Sequence, residues 1–334
     1  MIDPSMVLEN LLTPAVLLFA LGFFARVAKS EMTFPSALSD GLAIYLLLAI
    51  GFKGGEMLRD GGDGFVLAAL LTIGVGALTP VAVYLFISLF PDWGGLRAAS
   101  MAAHFGSTSA VTFLAAKAFA EKNNLEVMGY EPALLAIMEV PAIVIGLVLG
   151  KRSLEKGSDP SFHEEYEGPK HSMLQVIYSV VTGKTILLLF GGMLIGAIAH
   201  PSSLTAVKPF LVTPFYGALA LYLLDLGLVA GGALPHLIQR WRVLIPFGIL
   251  APLINGAIGV ALLSVFGFPP GTALLFGILN GSASYIAAPA AMRVAFPQAD
   301  HGVALSASLG VTFPFNLAIG IPLLAALAQA MATP

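Results

Sequence analysis

Residues Asn280–Ala291 read NGSASYIAAPAA, and they lie inside a run that carries no charge from Val243 to Met292. Glycine and two serines are out of place in so apolar a run. A second stretch, Phe105–Ala116, reads FGSTSAVTFLAA and repeats the pattern G-S-x-S-x5-A-A. Gly106, Ser107, Ser109, Ala115 and Ala116 align with Gly281, Ser282, Ser284, Ala290 and Ala291 at an offset of 175 residues, about half the chain. Small polar residues at one half-chain spacing inside apolar sequence call for a common cause.

The setting is a membrane. Of 334 residues 57% are hydrophobic and 10% charged, and the mean hydropathy is +0.90. A soluble domain carries about 25% charged residues, so this chain could not clothe a soluble surface. The uncharged runs Gly64–Leu89, Val243–Phe268 and Val303–Ala328 each exceed the roughly 20 residues a membrane helix needs. The net charge of −3 says little, because the few charges fall mostly in loops. No cysteine is present, which excludes disulfides, thiolate chemistry and Cys-ligated metals. The start, MIDPSMVLENLL, is acidic where a secretory signal would be basic, so the first hydrophobic segment reads as a retained helix.

Charges, prolines and glycines punctuate the chain into ten expected spans, centred near 20, 48, 77, 108, 141, 191, 220, 255, 282 and 317. The long polar segment Lys151–Met173 divides them five and five. Tyr45–Met57 (YLLLAIGFKGGEM) aligns with Tyr222–Leu234 (YLLDLGLVAGGAL) at an offset of 177, and Pro141 with Pro314 at 173. Three colinear matches of nearly equal offset imply a duplicated unit. An odd number of spans per unit makes the second enter the membrane from the opposite side. The expected organisation is a first repeat over 1–150, a polar linker over 151–182 and an inverted repeat over 183–334. Eleven Lys and Arg fall on the linker side against five on the other, which makes the linker cytoplasmic and both termini external.

Lipid satisfies no backbone polar group, so polar or non-helical sequence at membrane depth must line an enclosed cavity. The two G-S-x-S motifs fall near the middle of the fourth and ninth spans. Inverted-repeat transporters build their sites there, from helices unwound near the midplane whose ends and hydroxyls hold small ions. Glycine permits the unwinding and serine supplies donors and acceptors; Pro289 would free one carbonyl a turn earlier. The competing reading is tight packing through small residues. A single motif would favour packing; duplication at symmetric positions favours binding. The Gly54-Gly55 and Gly231-Gly232 pairs read as packing or hinge sites.

Glu139, in LLAIMEVPAIV beside Pro141, must face a cavity or a cation to sit within a span, and it is the first candidate for sodium or proton coupling. Asp225 is the second, with a structural serine or amide partner as the alternative. Asn280, Thr112, Thr312 and Asn316 add neutral oxygens for a cation. Lys53 and Glu56 lie near a span end, where snorkelling is the expected behaviour. Arg293 reads as an anchor at the cytoplasmic face. Other chemistries fail: His163–Glu167 (HEEYE) lacks the second histidine of a zinc helix, no G-x-x-x-x-G-K-[ST] is present, and nothing suggests a nucleic-acid surface, an enzyme or a bound organic cofactor.

At these residues the sequence resembles the sodium-dependent bicarbonate transporter family of cyanobacteria. The likeness is clearest in GFKGGEMLR (Gly51–Arg59), FGSTSAVT (Phe105–Thr112), MEVPA (Met138–Ala142), SASYIAAPAAMR (Ser282–Arg293) and GIPLLAALAQ (Gly320–Gln329). The resemblance implies bicarbonate uptake driven by the sodium gradient, homotrimers, and a core domain moving past a gate domain as an elevator in the bacterial inner membrane. It carries substrate and sodium roles onto Gly106, Ser109, Thr112, Ser282, Ser284 and Pro289, with Glu139 at a position acidic in the family. Ser107, Gly281 and Tyr285 complete the expected substrate set. The chain departs from the family at Val111, where a hydroxyl is lost, and at Tyr285 and Ala287-Ala288, positions that bear on selectivity. Its linker is short for the family, which weakens transfer of the family's cytoplasmic regulatory partner. The alternatives are a sodium/proton exchanger, an organic-anion symporter and, from other classes, a channel or a non-transporting receptor. The third and eighth spans lack a channel's polar stripe, and the linker is too short for a receptor's output domain.

Overall fold

The computed structural model describes residues 4–60, 62–90, 93, 95–155, 174–175, 178, 181–296, 299 and 302–332. Among them the chain is all helical. The first half comprises α1 (Pro4–Leu11), α2 (Pro14–Val27), α3 (Ser36–Asp60), α4 (Phe65–Ile87), α5 (Leu96–Gly106), α6 (Ala110–Lys122) and α7 (Glu131–Glu155). The second comprises α8 (Lys184–Ile198), α9 (Pro201–Val212), α10 (Phe215–Gln239), α11 (Trp241–Val265), α12 (Pro270–Asn280), α13 (Ala287–Ala295) and α14 (Gly302–Met331). Most of the expected polar linker, including the HEEYE stretch, lies outside the described residues.

Among the described residues six helices, α3, α4, α7, α10, α11 and α14, are long and apolar enough to cross a membrane. The other four expected spans differ in form. α2 and α8 have 14 and 15 residues. The fourth and ninth are each cut in two, α5 from α6 and α12 from α13, and neither piece reaches spanning length. Several long helices carry internal prolines, Pro80 in α4, Pro141 in α7 and Pro246 and Pro252 in α11, which membrane helices tolerate when neighbours satisfy the freed carbonyls. The architecture is that of a polytopic membrane protein.

Two kinds of packing organise the helices. α2 lies along α10 and α3 along α8, in contacts built on glycine. A Cβ at Gly55 would stand 2.0 Å from the Met193 carbonyl oxygen, one at Gly196 2.1 Å from that of Phe52, and one at Gly227 2.1 Å from that of Phe19. These helices approach backbone to backbone, as small residues allow. Gly55 and Gly231 of the two glycine pairs therefore act in packing: Gly231 lies against Phe23 and Arg26 of α2. The second kind gathers α4, α5 and α7 around one another and α11, α12 and α14 likewise.

The charged residues of α3 correct one expectation. Lys53 and Glu56 do not merely snorkel. Lys53 Nζ lies 2.5 Å from Glu121 Oε1 and Lys208 Nζ 2.9 Å from Glu56 Oε1, pairings across 68 and 152 residues of sequence that no local pattern signals.

Candidate functional site

The two broken helices meet at their breaks. α5 ends at Gly106, which lies so close to α4 that a Cβ there would press 2.6 Å from Cβ of Pro80, and the chain then runs extended through Ser107 and Ser109. Ser109 is the N-cap of α6: its Oγ accepts from Thr112 N at 3.1 Å and from Thr112 Oγ1 at 2.9 Å, satisfying a donor the helix start would otherwise leave open. α12 ends at Asn280. Gly281 then lies so close to α11 that a Cβ would meet the Pro252 carbonyl oxygen at 2.5 Å. Each motif glycine is thus pressed on a proline-bearing helix of its own half. Pro289 falls in the first turn of α13, where its missing N–H leaves no helical bond unmade.

Hydrogen bonds join the breaks directly. Ser109 N donates to Ser282 Oγ at 3.0 Å, the Thr108 and Ser282 hydroxyls lie 3.2 Å apart, and Ser284 N donates to the His104 carbonyl at 2.8 Å. Ser284 Oγ accepts from Ala288 N at 3.1 Å and steadies the start of α13. Asn316 of α14 donates to the Gly281 carbonyl at 2.9 Å, beside a π-helical stretch at Asn316–Gly320; a second such stretch, Ser308–Thr312, precedes Pro314. π-turns of this kind gather at functional sites. The starts of α6 and α13 bring partial positive charge to the crossing, and the ends of α5 and α12 bring carbonyls. Ser107, Ser109, Thr112, Ser282 and Ser284 are all buried.

Two buried hydroxyls here have no protein partner: Ser107 Oγ and Tyr285 Oη. Tyr285 packs edge-on against Phe313 with centroids 5.4 Å apart, and its hydroxyl lies near Ser109. Native proteins leave few buried polar groups unpaired. A crossing that offers free hydroxyls, helix starts and carbonyls can hold an anion and a cation together.

The remaining sequence candidates separate. Asn280 is fully engaged, accepting from Thr79 Oγ1 at 2.9 Å and donating to the Asn255 carbonyl at 2.7 Å. Thr312 donates to the Gly248 carbonyl of α11 at 2.7 Å. Glu139 is buried in α7 and its Oε2 has no partner. Asp225 lies on α10 and accepts from Ser39 Oγ of α3. Arg293 is exposed at the end of α13. Thr108 and the carbonyl of His104 are participants that the sequence reading passed over. Thr108 stood between the two motif serines and could have been found by its hydroxyl; a backbone carbonyl leaves no signal in sequence.

The fold defines an integral membrane protein whose two broken helices meet at a buried cluster of hydroxyls. The profile of the Na+-dependent bicarbonate transporter superfamily matches residues 14–329, and the chain belongs to that superfamily. It is a multi-pass membrane transporter and not an enzyme. No curated protein matches the chain.

Proposed function

We propose that the protein is a sodium-coupled symporter of a small anion, bicarbonate first, working by alternating access from the crossing of the two broken helices. The observation that carries the reading is the pairing of Ser109 with Ser282 beside the unpartnered Ser107 hydroxyl. In it, Gly106, Ser107, Ser109, Gly281, Ser282, Ser284 and Tyr285 face the anion, with the helix starts supplying positive potential. Ser109, Thr112, Ser282 and Asn316 offer neutral oxygens to sodium, and Glu139 supplies negative charge from α7. Asn280 and Thr312 hold the helices that carry the site.

The same reading takes the chain as ten spans in two inverted repeats, 1–150 and 183–334. Helix contacts support it: exchanging the halves maps α2 on α10 to α8 on α3, and the cluster of α4, α5 and α7 to that of α11, α12 and α14. The glycine-packed helices α2, α3, α8 and α10 would be the gate and the other group the moving core of an elevator. A homotrimer in a bacterial inner membrane, with both termini outside, completes the proposal.

The test is radiolabelled bicarbonate uptake into proteoliposomes, at alkaline pH and short times, with and without an inward sodium gradient. Ser107→Ala is the sharpest variant because its hydroxyl holds no other part of the fold; Ser284→Ala is its companion. Sodium-driven uptake that falls at least about tenfold in Ser107→Ala, a loss of 1.4 kcal/mol or more, with unchanged thermal stability, is the expected result. Uptake of small carboxylates in place of bicarbonate would move the assignment to organic anions, through the apolar Val111 and the bulky Tyr285.

A further inference from the structure

Three turns beyond the crossing, α6 carries a second polar cluster that the site does not use. Glu121, near the end of α6, receives Lys53 of α3 at 2.5 Å on Oε1 and the Tyr216 hydroxyl of α10 on Oε2. Both oxygens are thereby tied to helices of the glycine-packed group, α3 and α10. Lys117, one turn back on α6 itself, has its ammonium 3.9 Å from Glu121 Oε1, and its side chain is 4% exposed. It also feels the carboxylate of Glu131. Glu121 and Tyr216 stand on the wall of a cavity of about 470 Å³ that lies between the two groups and is lined further by Ala115, Ala118, Phe119 and Leu317.

We propose that Glu121 is a two-position latch. In this state its carboxylate ties the site-bearing helix α6 to α3 and α10, with Lys117 held at the outer edge of ion-pair distance; when the two groups slide, it gives up Lys53 and Tyr216 and closes on Lys117 alone. The chemistry requires such a standby partner. A half-buried carboxylate stripped of its cation is costly, whereas a lysine at i−4 travels with it. The pair of arrangements gives a bistable element whose balance sets how much of the protein holds the cavity open. The proposal rests on the alternating-access reading, but its test needs no transported substrate.

The chain has no cysteine, so Ala118→Cys places a unique thiol on the cavity wall. Its modification by a membrane-impermeant maleimide in purified protein reports how often the cavity is open. Lys53→Met and Tyr216→Phe, each added to that background, should slow modification about two- to fivefold, the scale of a partly exposed ion pair. Tyr216→Phe removes one hydrogen bond at almost constant volume and guards against misfolding. Lys117→Met removes the same charge nearer the thiol and should not slow modification, because it strands Glu121 in the tied arrangement. Unchanged or faster modification in Lys53→Met and Tyr216→Phe, or equal slowing in Lys117→Met, overturns the latch. A latch that responds in protein with no sodium-driven uptake would instead place the failure in the transport reading.

Discussion

Small residues do two different jobs in this molecule. Along α3 and α8, Gly51, Gly55, Gly192 and Gly196 bring two helices so close that backbone meets backbone, with a carbonyl 2.0 Å from where a Gly55 Cβ would be. At the crossing of the broken helices, Gly106 and Gly281 also press on neighbours, but the residues after them are serines, and two nearby hydroxyls stay without a protein partner. Glycine alone closes a gap. Glycine followed by hydroxyl residues at a helix break leaves donors and acceptors that protein does not fill. On the proposed function, that difference separates a packed seam from a binding site.

The largest expected effect breaks the seam. Gly55→Val and Gly196→Val each drive side-chain atoms into backbone that cannot rotate away. Overpacking typically costs about 1–3 kcal/mol, and a backbone neighbour puts these at or above the upper end. Thermal unfolding in detergent should show a large drop or no folded protein. The matched controls are Gly74→Ala and Gly191→Ala, around which an added Cβ meets nothing within 4 Å; these should leave stability unchanged or raise it by up to about 1 kcal/mol. Equal behaviour of the two sets would break the distinction.

The next effect falls on the site. Ser109→Ala removes the cap of α6 and the acceptor for Thr112, worth about 1 kcal/mol of stability, but should raise the sodium needed for half-maximal uptake at least about tenfold. Glu139→Gln keeps the volume and deletes the charge. It should raise the sodium requirement by about threefold, the scale of a field effect from a neighbouring helix, with bicarbonate affinity at saturating sodium little changed. Sodium titrations of uptake check both. A Ser109→Ala protein with unaltered sodium dependence would return the crossing to the category of a seam.

The sequence made part of this legible. The motif positions coincide with the breaks because glycine, serine and a half-chain repeat are all visible in one dimension. The unequal lengths of the breaks were not: α6 resumes at Ala110 after three residues, α13 only at Ala287 after six. Nothing in G-S-T-S against G-S-A-S announces that Ser284 N will find the carbonyl of His104. Lys117 is one of the five Lys and Arg counted opposite the linker side, yet it is buried on α6, because its ion-pair partner Glu121 and the nearby charge of Glu131 come with a fold that a span count does not describe. Composition finds the membrane and the unusual residues; which oxygens remain unclaimed depends on contacts between distant segments.

Asp225 supplies the smallest expected effect and the cleanest check on that last point. By sequence alone it was a coupling candidate, a carboxylate within a span. In the structure it lies on α10, in the glycine-packed group, and the Ser39 hydroxyl of α3 donates to its Oδ2 at 2.5 Å. An asparagine there retains an oxygen for the same hydroxyl, so Asp225→Asn should hold sodium-driven uptake within about twofold and change stability by no more than about 1–2 kcal/mol, the scale of one hydrogen bond. A coupling acid behaves otherwise: its amide would abolish the gradient dependence while leaving the protein folded. Uptake that collapses in Asp225→Asn but survives in Ser109→Ala would move ion coupling from the crossing to the seam between α3 and α10, and the two regions would have to exchange roles.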